Sequence, residues 1–240
     1  MYRKRAYRRW VRSGDLVSFE VVEGQTDLLI SAAKKLEPEA RQAVIGYRKE
    51  IEEYIKSDNR FFTSLGPVKI RPGAPEIIEA MGRAARKCGV GPMAAVAGAM
   101  AEFVGRDLLF KSNQVIIENG GDIFIRTDRK RVMGVYAGEK SPFTGKIALE
   151  IPPCEKGVGV CASSGTVGHS LSFGRADAAL IISDDTALAD AAATAAGNAV
   201  KTARDIEKAI ALVRSIDGVK GALILAGDSM GSWGEIRLAQ

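Results

Sequence analysis

Gln114-Val115-Ile116-Ile117-Glu118-Asn119-Gly120-Gly121-Asp122-Ile123-Phe124-Ile125-Arg126 decides how this chain folds. Two β-branched, apolar runs, Gln114 to Glu118 and Gly121 to Arg126, flank an Asn-Gly step. That pattern predicts two antiparallel strands joined by a tight turn. Working downstream, Val132 to Ala137, Lys146 to Ile151 and Val158 to Ala162 read as further strands, punctuated by Gly138, Gly145 and Gly157. Strands at such short spacing predict an antiparallel sheet, because parallel neighbours need long crossovers.

Working outward, the period changes from two to that of a helix. Upstream, Leu16 to Val22 and Thr26 to Ala32 form a hairpin pattern around Glu23-Gly24-Gln25. Glu37 to Ile55 follows with helical spacing, and Asn59 to Ala74 reads as a loop or broken strand. Pro75 to Lys87 suits a helix with Pro at its first turn. Met93 to Val104 is a helix built from small residues after Cys88-Gly89-Val90-Gly91-Pro92. Downstream come the apolar run Ala178 to Ser183, a second small-residue helix from Thr186 to Lys201, and a helix from Asp205 to Ser215. Gly221 to Ala226 and Gly234 to Leu238 read as closing strands. The order predicts an α+β fold with small-residue helices layered on an antiparallel sheet. Helix then sheet occurs twice, which points to a duplicated plan. No linker interrupts residues 1–240, so one domain is expected.

The net charge of +5 comes from 34 Lys and Arg against 29 Asp and Glu, and it is concentrated at the start. Residues 1–12 hold six basic residues and no acid, leaving 28 basic against 29 acidic residues. The basic balance therefore belongs to one arm, and nucleic acid is not an expected partner. Cys88, Cys154 and Cys161 are too few for a disulfide scaffold. With His169 as the sole histidine and no Cys pair at ligand spacing, a zinc site of the usual kind is excluded. Neither a leader peptide nor a membrane span is legible, so a cytoplasmic setting and no membrane partner are expected.

Four segments could carry chemistry. Asp190 and Thr194 share one face of a helix, and a carboxylate with a hydroxyl suits a hard cation such as Mg²⁺. The competing reading is a favourable negative charge in a first helical turn. Gly120 and Gly121 either make a turn or let the backbone approach a ligand closely. Ala162-Ser163-Ser164-Gly165-Thr166-Val167-Gly168-His169-Ser170 is either an anion-binding nest or an ordinary polar loop. His169 could serve there as acid or base. Cys161 reads by default as a small buried hydrophobe. Gly89 to Met93 precedes a helix but matches neither a P-loop nor a dinucleotide fingerprint.

Taken together, Gly89 to Glu102, Glu118-Asn119-Gly120-Gly121-Asp122, Ser163 to Ser170, Leu188-Ala189-Asp190 to Ala195 and Gly231-Ser232-Trp233-Gly234 resemble the ApbE superfamily. Its best-known members are FAD:protein FMN transferases, and the closer resemblance is to a small cytosolic branch. The resemblance implies an ApbE-like, duplicated T-fold-like sheet and transferase ancestry. It implies Mg²⁺ held by Asp190, Thr194 and the carbonyl of Ala94. It also implies FAD or FMN, or a related phosphorylated ligand, lined by Gly120, Gly121, Asp122, Ser163, Ser164, Gly165 and Thr166, with His169 as the catalytic group. Two departures bear against FMN transfer. Val96-Ala97-Gly98 stands where the family carries Ala-Lys-Gly, and the Asp-Pro that follows the family's histidine is lost. Two alternatives keep the same fold: a sulfur-assimilation enzyme or accessory for homocysteine formation, and a non-catalytic binding or assembly protein. Strand edges in such folds suggest a homodimer.

Overall fold

The computed structural model describes residues 14–165 and 174–239. The basic arm, Thr166 and His169 lie outside the described residues. Among the described residues, ten strands and six α-helices follow one another as a repeated plan. The first half is a hairpin, β1 (Val17–Glu23) and β2 (Thr26–Ala32), then α1 (Glu37–Ser57), the single turn α2 (Arg60–Thr63), α3 (Glu76–Cys88) and α4 (Val96–Leu109), then a second hairpin, β3 (Val115–Asn119) and β4 (Asp122–Thr127). After a small ribbon, β5 (Arg131–Gly134) and β6 (Ala148–Ile151), the second half repeats it. That half holds β7 (Cys154–Ser163), β8 (Ala178–Ser183), α5 (Thr186–Ala199), α6 (Ile206–Arg214), β9 (Val219–Ala226) and β10 (Ser229–Gly234). Eight strands form one sheet in the order β1-β2-β3-β4-β7-β8-β9-β10. Every pairing within it is antiparallel, as the short strand spacing predicts. The fold is α+β.

The central strands are buried on both faces, and alternation assigns each side chain to one of two cores. Val115, Ile117, Phe124, Cys161, Ile181 and Ile224 face the helices. Ile116, Ile123, Ile125, Val160, Leu180, Ile182, Leu223 and Leu225 face the β5–β6 ribbon. A period of two therefore survives as a choice between cores, although the strands read as continuous apolar runs.

Small residues on α4 and α5 let helices and sheet approach closely. A Cβ on Gly98 would run into the Thr186 carbonyl oxygen and stand 2.8 Å from Asp190 Cβ. Gly159 on β7 meets Thr186 in the same way, at 2.6 Å from its Cα. Asp185 caps α5 by accepting from Leu188 N at 2.8 Å. Gly89, with φ of 69°, closes α3 in the left-handed conformation. No single described helix is long and apolar enough to cross a membrane.

Three boundaries depart from the sequence reading. The expected strand Gly234 to Leu238 lies earlier, at Ser229–Gly234, because Gly234 turns the chain out of the strand with φ of 74°. The residues after it run beside β6 through the Leu149–Leu238 bridge. Within the expected loop Asn59 to Ala74, Arg60–Thr63 winds one helical turn that buries Phe61. The helix expected from Met93 begins as a tight 3-10 turn over Pro92–Ala95 before α4.

Candidate functional site

Where the starts of α4 and α5 meet the β3–β4 turn and the end of β7, polar groups gather inside the helix-side core. Gly120 and Gly121 take φ of 70° and 110°, a pair of left-handed residues that only glycine adopts without strain. The turn is held by Gly121 N–H donating to Glu118 Oε1 at 2.9 Å. Asn119 Nδ2 donates to the Ala97 carbonyl at 3.1 Å and ties the hairpin tip to the start of α4. The turn reading therefore holds, and Gly121 is required by its positive φ, since a Cβ there would stand in ordinary contact, 3.8 Å from the Ala162 carbonyl oxygen.

Asp122 follows this turn. It lies one step beyond the Ile123–Val160 pair, opposite Cys161. It is 8% exposed, and its carboxylate takes hydrogen bonds from Ala162 N–H and the Cys161 thiol. Oδ1 has no partner. Burial, together with the Asp190 charge, pushes Asp122 well above the ordinary carboxylate range. Cys161 Sγ stands 3.5 Å from the Thr186 carbonyl oxygen. Burial and the Asp122 charge raise the thiol well above its usual value, so the default reading of Cys161 as a buried small residue stands.

Asp190 sits one turn after Thr186 on α5. Its Oδ2 accepts from Gly98 N–H at 2.9 Å, and Ala97 N–H also reaches the carboxylate. Burial raises it to about 7 despite both donors. Asp190 is therefore no exposed first-turn charge. It is a buried carboxylate cradled by the start of another helix. Thr194 follows half-buried one turn on, and Ala94 is half-buried in the 3-10 turn that packs on α5. Glu102, 3% exposed, fastens the same corner: its Oε2 accepts from Thr186 N–H at 2.7 Å, and Arg106 pairs with its other oxygen.

Ser163 ends β7 facing Gly197, two turns along α5 from Asp190. Ser164 is half-buried, and Gly165 N–H donates to the Ala176 carbonyl at 2.9 Å. The structure thus brings Gly121, Asp122, Asp190 and the Ser163 end of β7 along one side of α5. Among the described residues no group of three or more His, Cys, Asp or Glu is placed to hold a metal. A cation here would draw on two carboxylates and neutral oxygens. A groove of about 800 Å³ lies elsewhere, between α6 and β10, and none of these residues lines it. Sequence reading missed Gly98 and Asn119, whose contributions are a backbone N–H and a side-chain tether that no spacing rule marks.

A family model described as AbpE bacteria matches residues 8–219. A UPF0280 protein of Methanosarcina acetivorans is 42% identical over 199 residues, covering 82% of this chain and 78% of its own. Among solved structures, flavin transferase ApbE from Vibrio cholerae, in a histidine-to-glycine variant, aligns with a TM-score of 0.58 at 10% identity, covering 91% of this chain and 97% of that one. The apo flavinyl transferase ApbE of Pseudomonas stutzeri aligns with a TM-score of 0.56 at 11% identity, covering 91% and 94%. At such identities the structures speak for the fold alone. On the family match and its close relative, the chain belongs to the AbpE bacteria family, an ApbE-like branch.

Proposed function

We propose that this ApbE-like chain binds a phosphorylated ligand, with a flavin nucleotide (FAD or FMN) as the first choice, and that Mg²⁺ assists. Asp190 carries the reading. It is a buried carboxylate held by the Gly98 and Ala97 N–H groups at the start of α4, beside a second carboxylate with an oxygen that has no hydrogen-bond partner among the described residues. Hard oxygen donors of that kind fit a hard cation. Asp190, Thr194 and the Ala94 carbonyl would hold Mg²⁺, which supplies positive charge to neutralise a pyrophosphate. Gly120 and Gly121 would let the ligand approach the backbone. Ser163, Ser164, Gly165 and Thr166 would contact its polar groups, and His169 would move a proton if chemistry follows.

FMN transfer is not part of the proposal, because Ala97 stands where the resembled family carries a cation. A thiol role in sulfur handling draws no support from Cys161, which is buried with its thiol pushed up. The reading takes the chain as one cytoplasmic domain that pairs as a homodimer.

The test is a thermal melt with FAD, FMN and ADP, each with and without Mg²⁺. Ligand at a hundred times its dissociation constant stabilises by about 2.7 kcal/mol. For a chain of this size that is a rise of about 5–10 °C. A Mg²⁺-dependent rise with FAD or FMN supports the reading. No rise with any of the three sinks it.

A further inference from the structure

Asp122 has a property that a structural carboxylate lacks. It is more than nine-tenths buried, one oxygen has no hydrogen-bond partner among the described residues, and the charges acting on it, Asp190 and Glu118, are of its own sign. Among the described residues no Lys or Arg pairs with Asp122 or Asp190. Buried polar atoms in folded proteins are almost always satisfied, and an orphan beside a like charge costs free energy unless something fills the gap. Asp122 and Asp190 come from different layers: β4 brings one and α5 the other. Both are fixed by backbone donors, Ala162 N–H for Asp122 and Gly98 N–H for Asp190. Neither can swing away to water without giving up that bond.

We propose that Asp122 and Asp190 together seat one divalent cation, with Asp122 Oδ1 as a ligand. This rests on the reading that a cation binds beside Asp190. It goes beyond that reading by adding a second charged ligand from the sheet. Two carboxylates and neutral oxygens are the donor set of a hard divalent ion, whose affinity follows the number of charged ligands.

The test is Mn²⁺ binding to the full chain without any flavin, measured by calorimetry and by loss of the free-ion electron paramagnetic resonance signal. Wild type, Asp122→Asn and Asp190→Asn are compared. The expected result is one Mn²⁺ bound by wild type, with affinity about tenfold lower or worse in each variant. Without metal, Asp122→Asn should melt at or above the wild-type temperature, since the amide fills the same buried space with no charge to desolvate. A merely structural Asp122 would do the reverse, lowering the melt while leaving Mn²⁺ affinity unchanged. If Asn at 122 fails to fold, Asp122→Ser removes both oxygens from the same space and is read identically. Unchanged affinity in the 122 variants with loss in Asp190→Asn overturns the two-carboxylate seat and leaves the proposed function standing. No Mn²⁺ binding by wild type overturns both.

Discussion

On the ribbon side of the sheet, Arg131 is 4% exposed, and its guanidinium is fully engaged. It pairs with both oxygens of Asp15, donates to Gln114 Oε1 at 2.7 Å and to Thr127 Oγ1 at 3.1 Å. On the helix side, Asp122 is buried to a similar depth, yet one oxygen has no hydrogen-bond partner among the described residues and the charges acting on it, Asp190 and Glu118, are of its own sign. One sheet thus buries a closed polar network on one face and an open one on the other. The closed network fixes where the ribbon sits. The open one sets two buried carboxyl groups against each other, an arrangement that the proposed cation would relieve.

The largest expected contrast is in the response to pH. Asp122 and Asp190 are raised above their ordinary values, so the folded chain holds protons that the unfolded chain releases. The contribution of Asp190 is intact below about pH 4 and is lost as pH rises through about 7, with an upper bound on the order of 4 kcal/mol, and Asp122 adds a loss in the same direction. Asp15 is lowered by its hydrogen bond to Arg131, so its contribution is present above about pH 4 and lost as pH falls. Urea unfolding in chelator from pH 4.5 to 8 should show wild type weakening relative to an Asp122→Asn, Asp190→Asn double variant. Mg²⁺ should close the difference. Parallel profiles would remove the contrast between the faces.

Next in size is Arg131→Ala. It strands Gln114 and Asp15 and should cost about 3 kcal/mol in urea unfolding, at the low end for a buried pair because Asp15 is partly exposed. It should leave Mn²⁺ affinity unchanged. A loss of affinity there would mean that the two networks communicate through the sheet.

Smaller in stability but sharper in meaning is Gly98→Ala. The added methyl meets the Thr186 carbonyl and Asp190 Cβ, and overpacking should cost about 2 kcal/mol. Because the same shift moves the N–H that aims Asp190, Mn²⁺ affinity should fall with it. A destabilised variant that still binds Mn²⁺ at full strength would show that the cradle is not needed.

Most of the fold was legible because its signals are local. The Asn-Gly turn, the hairpin at Leu16 to Ala32 and the two small-residue helices each carry their geometry in adjacent residues. β10 was displaced because Ser229-Met230-Gly231-Ser232-Trp233-Gly234 has no apolar alternation. Gly231 is there because α6 lies over it, with Ile206 in the space a side chain would take. The site was legible only in part, for a related reason. Asp190 and Gly121 advertise themselves by residue type, but the meeting of Asp122 with Asp190 depends on sheet register and helix docking. The Gly98 N–H is common to nearly every residue and leaves no mark in a sequence.

The repeated plan gives the site a divided parentage. Gly98 and Asp122 belong to the first hairpin–helix–hairpin unit, Cys161 and Asp190 to the second, and the β4–β7 pairing is the seam between them. The proposed cation seat would therefore take its two carboxylates from different units. On that proposal, a chain severed in the ribbon would bind the cation only when the two fragments complemented each other, which would make ion capture a direct gauge of how well the halves are joined.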